Sequence, residues 1–197
     1  MSLQSLAKKV RKPSTPISPL FYTRWSPRAM QGKLTRKQLL PLFEAARWAP
    51  SSFNGQPWRF VVAISKKDKE KFMDFLVDVN KQWSKNAAAL VVIVSLSVFE
   101  YNGKPARTHS LDTGSSWMSL ALEGARRGYV VHGMEGFDYD KVRKQLKIPK
   151  KYKVEAMCAI GKLAKPSILP GEMAKREKPS KRKPLSQIIS WGKFKWK

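Results

Sequence analysis

The sequence is poor in cysteine, histidine and acid. It holds one Cys, two His and 14 Asp or Glu against 39 Lys or Arg in 197 residues. A lone thiol, Cys158, excludes an internal disulfide and fits a reducing cytoplasm. His109 and His132 are too far apart in sequence to supply metal-ligand spacing. No Ser-His-Asp order, P-loop or paired-carboxylate motif occurs. Long apolar runs are also missing. The longest, Ala87–Val94, is strand-sized and well short of the roughly 20 residues that span a bilayer. The opening MSLQSLAKKVRKPS has no apolar stretch of signal-peptide length. The shortage of acids leaves a net charge of +25, which attracts polyanions by counterion release. Signatures of helix-turn-helix, RNA-recognition and zinc-finger modules are absent. Nonspecific polyanion binding is therefore the most this charge implies, and a solvated surface suited to a particular cytoplasm explains it as well.

What is present reads as one α+β domain between two basic arms. Residues 1–19 form an N-terminal arm with Lys8, Lys9, Arg11 and Lys12, broken by Pro13, Pro16 and Pro19. Leu3, Leu6 and Val10 allow one short amphipathic helix, which in an isolated monomer has little to pack on. Thr35 is a plausible N-cap for a helix ending near Trp48–Ala49, with Pro41 in conflict inside it. Strands are expected at Trp58–Ile64, Leu90–Leu96, Tyr129–His132 and Val154–Ile160, and helices at Lys66–Val79, His109–Arg127 and, capped by Asp138, Tyr139–Leu146. Leu90–Leu96 suits a strand buried on both faces. Trp117, Leu120, Ala121 and Gly124 are candidates for the packed face of the long helix. Residues 163–197 form a basic C-terminal arm with four prolines, a run from Lys175 to Lys183 and the aromatics Trp191, Phe194 and Trp196. Its composition favours disorder. The aromatics argue for docking, since they gain by covering apolar surface.

Four segments carry chemistry. Tyr22–Arg28 (YTRWSPR) has an Arg-x-Ser-x-Arg pattern, and Ala49–Trp58 (APSSFNGQPW) gathers hydroxyls and amides between two prolines. Asp112-Thr113-Gly114 stands near the start of the long helix, and His132–Asp138 (HGMEGFD) follows a strand. In this order and spacing, over roughly residues 20–162, they resemble the flavin nitroreductase family. The resemblance implies an α+β fold with a mixed, mainly antiparallel sheet flanked by helices. It also implies FMN as cofactor, NADH or NADPH as reductant, and a homodimer with both arms as exchange elements.

The resemblance also assigns residues. FMN ends in a phosphate of about two negative charges. Arg24 offers it a planar fork of donors, Ser26 a hydroxyl, and Trp25 and Arg28 flank them. Each such charged hydrogen bond contributes roughly 1.5–3 kcal/mol. Pro50, Ser51, Ser52 and Asn54 are expected to reach the flavin held mainly by the other subunit. Met134, Glu135 and Gly136 form the loop near the flavin ring, with the backbone N–H groups of Glu135 and Gly136 aimed at its reactive nitrogen. Gln82 and Lys85 match positions near the flavin's polar edge, and Arg182 matches a C-terminal arginine that returns to the phosphate. Phe53 and Tyr101 are candidates to line the acceptor space, with no protein side chain needed as acid or base. The implied activity is hydride transfer from NAD(P)H through flavin to nitroaromatics, quinones or similar electron-poor small molecules. Reductive dehalogenation, flavin fragmentation, and a basic nucleic-acid-binding protein on a degenerate flavin fold remain alternatives. His109 is expected to cap or pack at its helix start, His132 to pack, and Cys158 to be an inert small hydrophobe.

Overall fold

A computed structural model describes residues 2–196. Five strands form one sheet: β1 (Met30–Gln31), β2 (Trp58–Ala63), β3 (Ala89–Leu96), β4 (Tyr129–Met134) and β5 (Tyr152–Leu163). All pairings among the described residues are antiparallel. The 12-residue β5 is the hub, pairing with β3, β4 and β1, while β2 pairs only with β3 at the sheet's end. β3 is buried along its whole length, because helices cover both faces of the sheet. The core accordingly splits in two. One part holds Trp25, Phe72, Phe75, Trp83 and Met157; the other holds Leu39, Leu42, Leu120, Val131 and Ile160.

The helices are α1 (Leu3–Val10), α2 (Pro19–Thr23), α3 (Arg36–Arg47), α4 (Lys66–Met73), α5 (Asp78–Ser84), α6 (His109–Arg126), α7 (Tyr139–Gln145) and α8 (Gly171–Lys175). Thr35 caps α3 in a reciprocal box with Gln38, which tolerates Pro41 inside the helix. Asp138 caps α7 through the Lys141 amide at 2.8 Å. The single helix expected over Lys66–Val79 is two. The chain breaks after Met73, Leu76 bridges Phe137, and Val77 opens α5. Burying Phe75 and Leu76 outweighs the local helical pattern, since both are almost fully covered.

The arms also differ from expectation. α1 has a surface to pack on within its own chain: Leu3 and Ala7 are buried, and the Trp25 indole N–H donates to the Leu3 carbonyl at 3.2 Å. Part of the C-terminal arm docks as well, with Leu169 and Pro179 buried. Within this one chain the terminal Trp191 and Phe194 are left 85% and 82% exposed.

α6 lies against β4 with the predicted face inward, Leu120, Ala121 and Gly124 buried and Trp117 half-buried. Its first turn is anchored by a polar cluster. Ser95 Oγ lies 2.7 Å from His109 Nδ1, and Ser95 and Ser110 both donate to Glu155 at 2.5 and 2.7 Å. Burial works to raise the Glu155 carboxyl, but these hydroxyls and Lys153 outweigh it and hold the group below the usual range. At Gly124 the approach is so close that a Cβ would stand 2.6 Å from Val131 Cγ2. Gly124→Ala is expected to lower stability by about 1–3 kcal/mol in urea unfolding, the cost of overpacking outweighing the better helix propensity of alanine.

Candidate functional site

The Tyr22–Arg28 segment ends α2 at Thr23, turns extended at Arg24 and meets β4 at Pro27. His132, on β4, lies tilted against Trp83 with ring centroids 4.5 Å apart, and its Nδ1 meets the Pro27 carbonyl at 3.0 Å. A cleft of about 270 Å³ opens here. Arg24, Trp25, Ser26 and Arg28 line one part and Arg176, Lys178, Ser180 and Arg182 another, with Arg11, His132 and Glu177 completing it. Sequence reading named Arg24, Trp25, Ser26, Arg28 and Arg182, and the structure brings all five together. It did not name Arg11, His132, Arg176, Glu177 or Lys178 for this site.

The electrostatics of the cleft are one-sided. Glu177 is its one acid, and it already accepts the Ala29 amide at 2.7 Å. Arg24 Nη1 donates to Ser26 Oγ at 3.2 Å, but Arg24 Nε is buried with no partner among the described residues. Leaving a buried guanidinium donor unsatisfied costs on the order of 1–3 kcal/mol or more. Burial, then the charge of Arg182, lowers the pKa of Arg24; burial, then Arg182 and Arg24, lowers that of Arg11 to about 10. An orphaned donor among unpaired cations is the arrangement a phosphate dianion satisfies. The residues fit the FMN phosphate on that ground.

Next to the cleft, β4 ends in the Met134–Gly136 loop. The Met134 side chain points into the core at 5% exposure, which leaves its backbone as the part free to face a ligand. The N–H groups of Glu135 and Gly136 donate to no other described residue, while the Glu135 and Gly136 carbonyls are used by Phe137, Val77 and Asn80. Gly136 admits no side chain: a Cβ would lie 2.8 Å from Asn80 Nδ2 and 2.9 Å from Val77 Cγ2. Gln82 lies on α5 and Lys85 is its C-cap. Both are exposed, because α5 turns Trp83 and Ser84 inward. Asn80, one helical turn before Trp83 and bonded to it at 3.1 Å, takes the place against Gly136. The inward spacing of Asn80 and Trp83 was the available signal.

The Pro50–Gln56 loop is a separate constellation, and neither described cavity includes it. Phe53, Asn54 and Gln56 have φ of 50°, 52° and 44°, left-handed values that cost non-glycine residues energy. The loop is held by Ser51 Oγ accepting the Gln56 amide at 3.0 Å and by Asp112 Oδ2 accepting the Ser52 amide at 3.1 Å. Asp112, buried at the start of α6, was legible only as part of a motif. The strain displays Phe53 at 78% exposure and leaves Asn54 and Pro50 exposed as well. Phe53 meets Phe99 edge-on at 5.7 Å, and Phe99 meets Tyr101 at 5.4 Å, so both candidate acceptor residues belong to one aromatic row.

A model of the nitroreductase family matches residues 23–82 and 73–162. A solved structure described as an oxidoreductase containing FMN superposes with a TM-score of 0.90 at 43% identity, covering 95% of this chain and 97% of its own. Protein DrgA of Synechocystis is 29% identical over 186 residues, 80% of this chain and 86% of that protein. An oxygen-insensitive NADPH nitroreductase of Helicobacter pylori is 40% identical over 63 residues, 32% of this chain and 30% of its own. The chain belongs to the nitroreductase family and is an oxidoreductase of that family. No helix among the described residues is long and apolar enough to cross a membrane, and none of their His, Cys, Asp and Glu cluster as metal ligands.

His132 gives the site a pH signature. Burial, opposed by its bond to Pro27, pushes the imidazole from its ordinary 6.5 down to about 4. Between these values the unfolded chain binds the extra proton and the folded chain does not, so stability rises with pH there. The contribution is complete above about pH 6.5 and is lost as pH falls toward 4, on the order of 3 kcal/mol in all. Urea midpoints across pH 7 to 4 are expected to fall along this limb, and His132→Gln to flatten it.

Proposed function

We propose that the protein is an FMN-dependent oxidoreductase that takes hydride from NADH or NADPH and delivers it to nitroaromatics, quinones or similar electron-poor rings. The observation that carries this reading is the orphaned Arg24 Nε in a cleft lined by six cationic side chains and one acid. Arg24, Ser26 and Arg182 would hold the phosphate. The free N–H groups of Glu135 and Gly136 would face the ring, and Asn80 fixes their loop. Bound FMN would supply reversible two-electron chemistry. The chain's own part is to bind, orient and screen. His132 stays neutral at physiological pH and so adds no charge beside the phosphate cations. Glu135 is exposed and acts through its backbone.

The reading includes a homodimer. The Phe53 loop is not among the residues that line the phosphate cleft, which is in keeping with a site completed by a second subunit. Exposed apolar residues are available for the contact: Trp48, Phe53 and Leu111 at 73%, 78% and 71%. A groove of about 340 Å³ between α3 and β2, lined by Leu39, Leu40, Phe43, Phe60, Val62 and Ile64, lies at the unpaired edge of the sheet. It suits the exposed Ile188, Trp191 and Phe194 of a partner's C-terminal arm. A flavin face open to the exposed Phe53 and Tyr101 favours broad acceptor choice.

The first test is the visible spectrum of purified protein. Flavin bands at roughly one FMN per chain that bleach with NAD(P)H under nitrogen are expected; colourless protein that takes up no added FMN overturns the reading. Arg24→Gln is expected to weaken FMN binding about 10- to 100-fold, the worth of a charged hydrogen bond, in fluorescence titration. Light scattering is expected to give a dimer; a monomer holding FMN stoichiometrically refutes the shared site.

A further inference from the structure

One cleft residue comes from the N-terminal arm, ahead of the matched family segments and of every motif of the sequence. Arg11 is the C-cap of α1, and its side chain is 9% exposed. It makes no ion pair among the described residues. Its donors go to backbone carbonyls from two distant parts of the chain: Nε to Ser180 at 2.7 Å, and Nη1 to Arg24 at 2.6 Å and Tyr22 at 3.3 Å. Nη2 has no partner among the described residues, and the side chain lines the cleft.

This arrangement is costly without an anion. Arg11, Arg24 and Arg182 are mutually repelling, and the C-terminal segment that brings Arg182 carries Arg176, Lys178, Lys181 and Lys183 as well. Few contacts hold that segment at the cleft: the Arg11 bond to Ser180, the Glu177 bond to Ala29 and the burial of Pro179. A planar guanidinium can bond carbonyls along two directions at once, which an ammonium on a flexible stem does poorly.

We infer that Arg11 is a positioning residue of the phosphate site: it ties the carbonyls of Tyr22 and Arg24 to that of Ser180, and so sets Arg24 and Arg182 on opposite sides of one anion. The inference rests on the FMN reading proposed above. Two consequences follow. The preference for FMN over riboflavin, which differ by the phosphate alone, depends on a residue of the N-terminal arm. Phosphate binding and docking of residues 176–183 strengthen each other, because the anion relieves the repulsion that the docked segment creates.

Fluorescence titration of the full chain with FMN and with riboflavin tests this. Wild type is expected to bind FMN the more tightly. Arg11→Met should cut FMN affinity about 10- to 100-fold and leave riboflavin affinity within about twofold. Arg11→Lys keeps the charge but loses the fork, and should cut FMN affinity at least about tenfold. Hydrogen exchange of residues 176–183 should slow on adding FMN in wild type and not in Arg11→Met. An equal loss for both flavins, no loss for either, or full FMN preference in Arg11→Lys overturns the inference. If Arg11→Met fails to fold, Arg11→Lys decides; if that also fails, Arg11 serves the fold alone and the inference falls. Wild type that binds neither flavin, or both equally, defeats instead the FMN reading beneath it.

Discussion

Guanidinium groups with no carboxylate between them repel, and burial strengthens the repulsion by removing the water that would screen it. Here the fold gathers Arg11, Arg24 and Arg182 in one cleft, and pays for it with unused donors. The surrounding structure answers to that constraint. Trp25 fastens α1 through its indole, which places Arg11. The Pro27 carbonyl is met by His132, whose ring is clamped by Trp83. Trp83 in turn bonds Asn80, and Asn80 holds the Gly136 loop. The cleft and the loop beside it are therefore connected through a short chain of buried aromatic and polar contacts.

Much of this was legible in the sequence, for reasons tied to particular residues. β3 announced itself as a mostly apolar run, and Thr35 and Asp138 as caps. The antiparallel pairing followed from the family resemblance, not from periodicity. Arg24 and Ser26 were legible because their spacing is short, so one extended segment carries both. Gln82 and Lys85 came from the resemblance alone, and the break of the expected helix at Leu76 puts Asn80, which the sequence did not mark, against Gly136. Arg11 left no signal at all. In a stretch with Lys8, Lys9 and Lys12, nothing local distinguishes the one cation whose partners lie 11, 13 and 169 residues away.

The two arms illustrate the same limit from opposite ends. Composition favoured disorder in the C-terminal arm and left the N-terminal helix little to pack on, yet α1 is partly core, because Leu3 and Ala7 fall on one helical face in the same cluster as Trp25. The C-terminal segment docks around Leu169 and Pro179 and then runs out to exposed aromatics. Burial depends on what surface the rest of the chain offers, and this cannot be read from the segment itself.

Phe99 joins two regions that the sequence separates by more than forty residues. Its ring touches Phe53 on one side and Tyr101 on the other, and a Cβ at Gly55 would come within 3.3 Å of it. The strained loop and the segment after β3 thus share one wall. A substitution at Phe99, half-buried itself, would re-aim both exposed rings at once. The display of Phe53 and Tyr101 therefore diverges by changes at a supporting residue while both rings stay the same.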